Sequence, residues 1–292
     1  MTLFQFYFAE FSAIYILLAW AVYLTFRINQ LYLGPLYSMC LGAYFGAYAA
    51  LNWGWPFWLI FIGAVGLSLL FSLIPSFRFA RLGAFAIVIA TMALLFMVQT
   101  VIRNWEALGG ARGLFNIPHI PRQIWLGVTY GFVLIIGFCV YRLDHSHIGR
   151  AMDAVHFDRD VAATLGIDVS RLSIQLQLFS SVIGGIAGVL YVFTLGSVFP
   201  DAFGFFLLMY VITIVVFGGM YTMWGIIIAS PVLWGVGQFL PAGLVGFSVI
   251  VFNVLLIGVL LIRPSGMINR KSVRAITNGC KDLLQRFTDF HK

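Results

Sequence analysis

About nine stretches of some twenty largely apolar residues follow one another along the chain, and that pattern leaves little choice of fold. A helix rises ~1.5 Å per residue, so ~20 apolar residues match a bilayer core of ~30 Å. The stretches lie at 3–26, 33–51, 56–76, 82–103, 123–141, 172–198, 203–221, 224–240 and 244–262. Of the 292 residues, 62% are hydrophobic and 9% are charged. A soluble domain is ~25% charged, so this chain has too little polar surface to cover a water-soluble globule. The composition excludes an ordinary soluble enzyme, a disordered chain and a nucleic-acid-binding domain. The predicted fold class is an all-α polytopic membrane protein with about nine membrane segments, in a range of roughly eight to ten. Segments 33–51 and 224–240 are short and rich in Gly or bounded by Pro, so a broken or re-entrant segment is expected there if anywhere.

Orientation follows from the Lys and Arg residues. The longest polar insert, 142–171, and the basic tail, 269–292, are separated by four apolar segments and fall on the same side. Placing both in the cytoplasm puts every basic residue except Arg103, Arg112 and Arg122 there as well, as expected for cytoplasmic loops. The N-terminus is then outside and the C-terminus cytoplasmic. The connection 104–122 is external. It carries Gly109, Gly110, Gly113, Pro118 and Pro121, a density of breakers that favours an ordered loop over a helix.

The interior offers little chemistry. Glu10 is near the start of the first helix, Glu106 is in the external loop and Asp201 is in the break between the sixth and seventh segments. No acidic residue is expected near the midplane, which argues against a proton relay, a pump or an ion-driven carrier. Cys40, Cys139 and Cys280 have neither disulfide nor metal spacing, and His145, His147 and His156 read as exposed loop residues. No metal and no cofactor are expected on this chain, and no nucleotide-binding or hydrolase motif is present in it. A Gly-rich apolar bundle with no internal energy source reads as a permeation subunit driven by a partner. A channel, a secondary carrier and a purely structural membrane protein are the alternatives.

The insert is the most informative stretch. Residues 149–172 read GRAMDAVHFDRDVAATLGIDVSRL. Residues 151–165 are expected to form one helix, with Ala151, Val155 and Ala162 near one face and Met152 beside them. Gly166 stops it, and Asp168 or Ser170 caps the next helix. Such a helix suits insertion into a groove on a soluble partner; a solvated loop that merely orients the chain is the other reading.

This insert resembles the cytoplasmic coupling segment in permease subunits of ATP-binding-cassette importers of the branched-chain amino acid, urea and amide uptake family. The family pattern, close to GRAxRA…(D/N)…A…LGI(N/D)xxR, is met at Gly149, Arg150, Ala151, Ala154, Asp158, Ala162, Leu165, Gly166, Ile167, Asp168 and Arg171. Asp153 departs from it, since the family often has a basic residue there. Other blocks agree in order. Gln30 to Gly34 with Gly42-Ala43-Tyr44 is similar to GQLSLGH…GAY, with Asn29, Tyr32 and Pro35 departing. Residues 89–94 with Gln99 look like a helix of one permease half, and 104–110 with Gly113-Leu114 look like the external loop of the other. Residues 215–225 resemble VLGGxGSxxG, and 263–267 resemble RPxGL.

The resemblance implies a transmembrane permease domain over 1–268, a coupling insert at 142–171 and a basic tail at 269–292. It implies a multi-pass subunit in the inner membrane of a prokaryote that moves solute by alternating access. The solutes implied are branched-chain or related amino acids, or else urea or short amides. The implied partners are two cytoplasmic ATP-binding subunits, which carry ATP and Mg²⁺, a second related permease and an extracytoplasmic solute-binding protein. The chain itself is then no enzyme and has no ATPase site. Gly149, Arg150, Ala151, Ala154, Asp158, Ala162, Leu165, Gly166 and Arg171 are the expected ATPase-coupling residues. Arg150 serves either a partner's acidic group or the insert's own helix ends. Gly42, Tyr44, Gly46, Thr91, Gln99, Gly218 and Gly219 are expected either on the translocation path or in helix packing.

Overall fold

The computed structural model describes residues 3–239 apart from 81, 119, 220 and 221, together with 254 and 258. Apart from those two positions the expected segment 244–262 lies outside the described residues, as do the 263–267 block and the tail 269–292.

Helix α1 (Leu3–Phe26) is followed by α2 (Gly34–Tyr48), which runs into a π-helical turn at Ala49–Trp53. Helices α3 (Phe57–Phe79), α4 (Ala84–Asn104) and α5 (Arg122–Asp144) come next. The insert forms α6 (His147–Phe157) and α7 (Arg159–Thr164). Helix α8 (Val169–Leu195), a 3₁₀ turn at Pro200–Phe203, α9 (Phe205–Gly218) and α10 (Met223–Phe239) complete the described fold. Among the described residues the one β-type pairing is an isolated antiparallel bridge between Leu114 and Val198.

Among the described residues six segments are long and apolar enough to cross a bilayer unaided: Leu3–Phe26, Phe57–Phe79, Ala84–Asn104, Arg122–Asp144, Val169–Leu195 and Pro200–Gly218. The segments expected at 33–51 and 224–240 are realised as the shorter α2 and α10. Helix α2 tolerates its shortness because it is central. Its residues from Gly34 to Cys40 are all buried, and it packs along α8, α3 and α4. Lipid thickness does not have to be matched by a helix that lipid scarcely touches. Helices α3, α4 and α5 are apolar but keep large residues such as Ile74, Phe85 and Leu134 on the outside, as helices facing acyl chains do.

Close packing of α2 on α8 rests on small residues. A Cβ on Gly42 would lie 2.3 Å from the carbonyl oxygen of Gly185, and one on Gly188 would lie 2.1 Å from that of Met39. Beside this contact runs a buried hydroxyl cluster. Tyr32 and Tyr37 share a 2.6 Å hydrogen bond, Tyr32 also meets Ser181 at 3.2 Å, and Tyr37 donates to Ser72 at 3.3 Å. Such groups are affordable in a bundle core only when they bond one another.

The connections sort to two ends. At one end Arg27, which follows α1, meets Asp144 of α5 and Asp153 of α6, while Arg159 of α7 reaches Ala80 and Leu82 between α3 and α4. At the other end Leu114 pairs with Val198, Gln99 donates to the Pro200 carbonyl and Arg103 pairs with Asp201. The grouping of residues 27–33, 78–82 and 142–171 on one side, and of 104–117 with 196–201 on the other, is the one the Lys/Arg pattern required.

Candidate functional site: the polar insert and its anchors

Helix α5 runs to Asp144, and the chain turns at His145 and Ser146. The Ser146 hydroxyl accepts the Ile148 N–H at 3.1 Å and so caps α6. Gly149 follows because the start of α6 lies directly on the end of α5. A Cβ there would sit 2.2 Å from the Asp144 carbonyl oxygen. Met152 and Val155 then point inward and are buried.

Residues 151–165 form two helices rather than one. The cause is Asp158. Its carboxylate accepts the backbone N–H groups of Asp160 at 2.8 Å and Val161 at 3.1 Å, which makes it the N-cap of α7. A capping residue leaves helical geometry, and Asp158 is extended at φ −157°, ψ 120°. Ala162 is buried beneath α7. Gly166 ends the unit at φ +84°, a backbone state that glycine adopts without penalty. Asp168 caps α8 through the Arg171 N–H at 3.0 Å, and the Arg171 side chain returns to its carboxylate at 2.8 Å. Thus Gly149, Asp158, Gly166, Asp168 and Arg171 each have a local structural task in folding the insert. His147 and His156 lie in the first and last turns of α6 rather than in a loop.

Three large apolar side chains face away from this unit. Phe157 is 88% exposed, Leu165 is 73% exposed and Val161 is 54% exposed. Phe157 ends α6, Val161 lies within α7 and Leu165 caps the end of α7. Asp158 and Asp160 stand among them in the chain and are exposed too, so this stretch lies outside the hydrocarbon. Arg150 is also exposed and contacts the His147 ring at 2.5 Å.

Arg27 binds the insert to the bundle. Its guanidinium reaches Asp144 at 2.5 Å and also pairs with Asp153, and its side chain is only 2% exposed. Tyr23 donates its hydroxyl to the second Asp144 oxygen at 3.0 Å. Burial opposes the Arg27 charge, but Tyr23, Asp144 and Asp153 outweigh it and raise the pKa above its ordinary value.

The residues expected on a path or in packing divide as follows. Gly42 packs against α8, and Gly46 has Ile60, Val189 and Val192 at ordinary contact distance. Thr91 donates to the Ile87 carbonyl of its own helix at 2.7 Å and accepts the Leu33 N–H at 3.4 Å. Gln99 ties α4 to the 3₁₀ turn through Pro200 at 3.0 Å. Gly218 ends α9 in contact with Gly225 of α10, and Gly219 follows at φ +110°. Tyr44 is buried, and it lines an apolar groove of about 480 Å³ with Leu41, Phe71, Met97 and Trp105. The structure brings the insert residues together in one unit and spreads the other set along the bundle.

Sequence reasoning passed over Arg27, Asp144 and Arg159, and also Gly184, Gly185 and Gly188. The four-residue spacing of Gly184 and Gly188 was a legible packing signal. Glu10, expected near the start of the first helix, stands two turns inside α1 and is fully buried, with the hydroxyls of Thr129 and Thr194 alongside, although neither carboxyl oxygen makes a well-formed hydrogen bond.

A bundle of long apolar helices with a folded, charge-anchored insert at one end defines an all-α polytopic membrane protein. The chain belongs to the family described as branched-chain amino acid transport system, permease component, whose profile matches residues 5–262. It is similar to the high-affinity branched-chain amino acid transport system permease protein LivM of Escherichia coli K12, with 27% identity over 166 residues, which is 56% of this chain and 39% of that protein. It is also similar to the LivH permease protein of Salmonella typhimurium LT2, with 30% identity over 163 residues, 55% of this chain and 51% of that protein. The matches therefore span about two fifths to one half of these relatives' length. No solved structure matches the chain significantly.

Proposed function

We propose that this chain is a permease subunit of an ATP-driven importer and forms part of its translocation path, taking up branched-chain or related amino acids by alternating access. It sits in a prokaryotic inner membrane with its N-terminus outside and its insert and C-terminus in the cytoplasm. Its partners are two cytoplasmic ATP-binding subunits, a second related permease and an extracytoplasmic solute-binding protein. ATP and Mg²⁺ bind to the ATPase partners.

The observation that carries the reading is the exposure of three large apolar side chains, Phe157, Val161 and Leu165, on an otherwise charged, firmly folded insert. Membrane lipid is a poor cover for side chains that alternate with Asp158 and Asp160. Their burial in a cleft of a soluble partner removes them from water at ~25 cal/mol per Å². Closure of an ATPase pair would then pull on the insert, and through it on the helices to which it is anchored, shifting the bundle between its two access states. Selectivity would reside mainly in the solute-binding protein, since the described interior offers hydroxyls and backbone groups rather than a dense charged site.

The test is affinity purification of the tagged chain from its native membrane in mild detergent. Two ATPase chains and a second permease are expected to co-purify. Phe157→Glu with Leu165→Glu is expected to release the ATPases while the permease pair stays intact. Recovery of the chain alone, even after crosslinking, would overturn the proposal.

A further inference from the structure

Two arginines hold the insert to the bundle, and they hold different halves of it. Arg27, just past α1, reaches Asp144 at the end of α5 and Asp153 within α6. Arg159, the first residue of α7, donates to the carbonyl oxygens of Ala80 at 2.8 Å and Leu82 at 3.4 Å, in the turn between α3 and α4. Between the two attachments the helical backbone is interrupted at one residue, Asp158. The two halves touch each other and both touch α8, but only α6 packs on α5 and only α7 is tied to the α3–α4 turn.

We propose that the insert is a two-part lever, in which Arg27 makes α6 move as one body with the ends of α1 and α5, Arg159 makes α7 move with the α3–α4 turn, and Asp158 is the articulation between them. A single rod over both supports would pass one displacement to all of them. A jointed pair lets one push on Phe157, Val161 and Leu165 reach two groups of helices by different amounts. The attachments also differ in kind. Opening the Arg27 pair strands a buried charge, whereas Arg159 holds two neutral carbonyls at a partly exposed site and yields more easily. The α6 half is therefore the stiff arm and the α7 half the compliant one. Arg27 and Arg159 act here as positioning residues.

The lever rests on the proposed ATPase contact, but its attachments are measurable on the full chain alone. Amide hydrogen exchange of the purified chain in detergent resolves peptides from 147–157 and from 159–165. Asp153→Ala removes the α6 side of the Arg27 contact and keeps the Arg27–Asp144 pair, so it avoids the folding risk of an Arg27 variant. It is expected to speed exchange in α6 by about tenfold, with little change in α7. Arg159→Gln is expected to do the reverse, and Arg159→Lys to restore part of the protection. Equal acceleration in both halves by either variant would mean that the insert moves as one body, and would overturn the lever. In the complex with its ATPases, both variants are expected to retain ATPase association but to lower the uptake obtained per ATP hydrolysed. Unchanged coupling would remove the lever's role. Failure of the wild-type chain to bind any ATPase would overturn the proposed function and the lever as a coupling device, while the selective exchange result would still stand for the two attachments.

Discussion

Gly42 of α2 meets Gly185 of α8 so closely that a Cβ on Gly42 would lie 2.3 Å from the Gly185 carbonyl oxygen. The obstacle is backbone, which cannot rotate aside as a side chain can. Helix association in lipid has no strong hydrophobic drive, so it depends on such close approach.

Gly42→Leu or Gly188→Leu is accordingly expected to separate α2 from α8 and to destabilise the chain by at least about 1–3 kcal/mol, the usual range for overpacking. Gly66→Ala is the contrasting variant. A Cβ there meets nothing within 4 Å, and Ala is a better helix former by roughly 0.5–1 kcal/mol. Thermal melting in detergent, followed by size-exclusion recovery, should fall for the first two and hold or rise for the third.

The two ends of the bundle carry ion pairs of unequal weight. Arg27 is buried between two carboxylates, whereas Arg103 and Asp201 are 49% and 70% exposed. Removing one partner of a buried pair costs about 3–5 kcal/mol, and a surface pair is worth about 0–1 kcal/mol. Arg27→Met should lower the melting temperature sharply, and Arg103→Met should leave it nearly unchanged. Similar losses for both would contradict the burial of Arg27.

Glu10 is enclosed by α1, α5 and α8, and no ion pair among the described residues reaches it. A charge at that place is costly, and the hydroxyls of Thr129 and Thr194 suit an amide as well as a carboxyl. Glu10→Gln should express and melt like the parent, while Glu10→Lys should fail to accumulate in the membrane. A severe loss in the Gln variant would show that the charged form is required.

Asp158 is the cap of α7, and losing a cap costs about 0.5–2 kcal/mol. Asp158→Ala should increase amide exchange across residues 159–164, and Asp158→Asn, which still caps, should not. Equal exchange in the two variants would mean that the capping bonds are not what separates α6 from α7.

Much of this fold was legible in order and composition. Apolar run lengths placed α1, α3, α4, α5 and α8 within a few residues, because a bilayer core demands a fixed length of apolar helix and the chain supplies it in blocks. The basic residues sorted the connections into two sets, and the contacts of Arg27 and Arg159 on one side and Arg103 on the other reproduce that sorting. Gly166 was read correctly as a helix stop, and Asp168 is the one of the two expected caps that acts, since both work through their own immediate backbone. The family blocks were visible too, although several of their residues turn out to shape the insert itself.

What lay out of reach was everything that depends on which distant segments meet. Asp158 divides the insert because its side chain accepts the backbone N–H groups of Asp160 and Val161, a local choice that competes with a continuous helix and that periodicity alone does not decide. Gly149 is needed because α6 begins against the carbonyls of α5. Arg27 looked like one more orientation charge until Asp144 and Asp153, more than a hundred residues away in sequence, were brought to it. Sequence by itself determined that this chain lives in lipid, roughly where its long apolar helices begin and end and which connections share a side, since length, hydropathy and charge act segment by segment. Only the tertiary structure decided which glycines are contacts, where Glu10 is enclosed and which arginine holds which half of the insert, because those depend on distances between residues that the order of the chain leaves free.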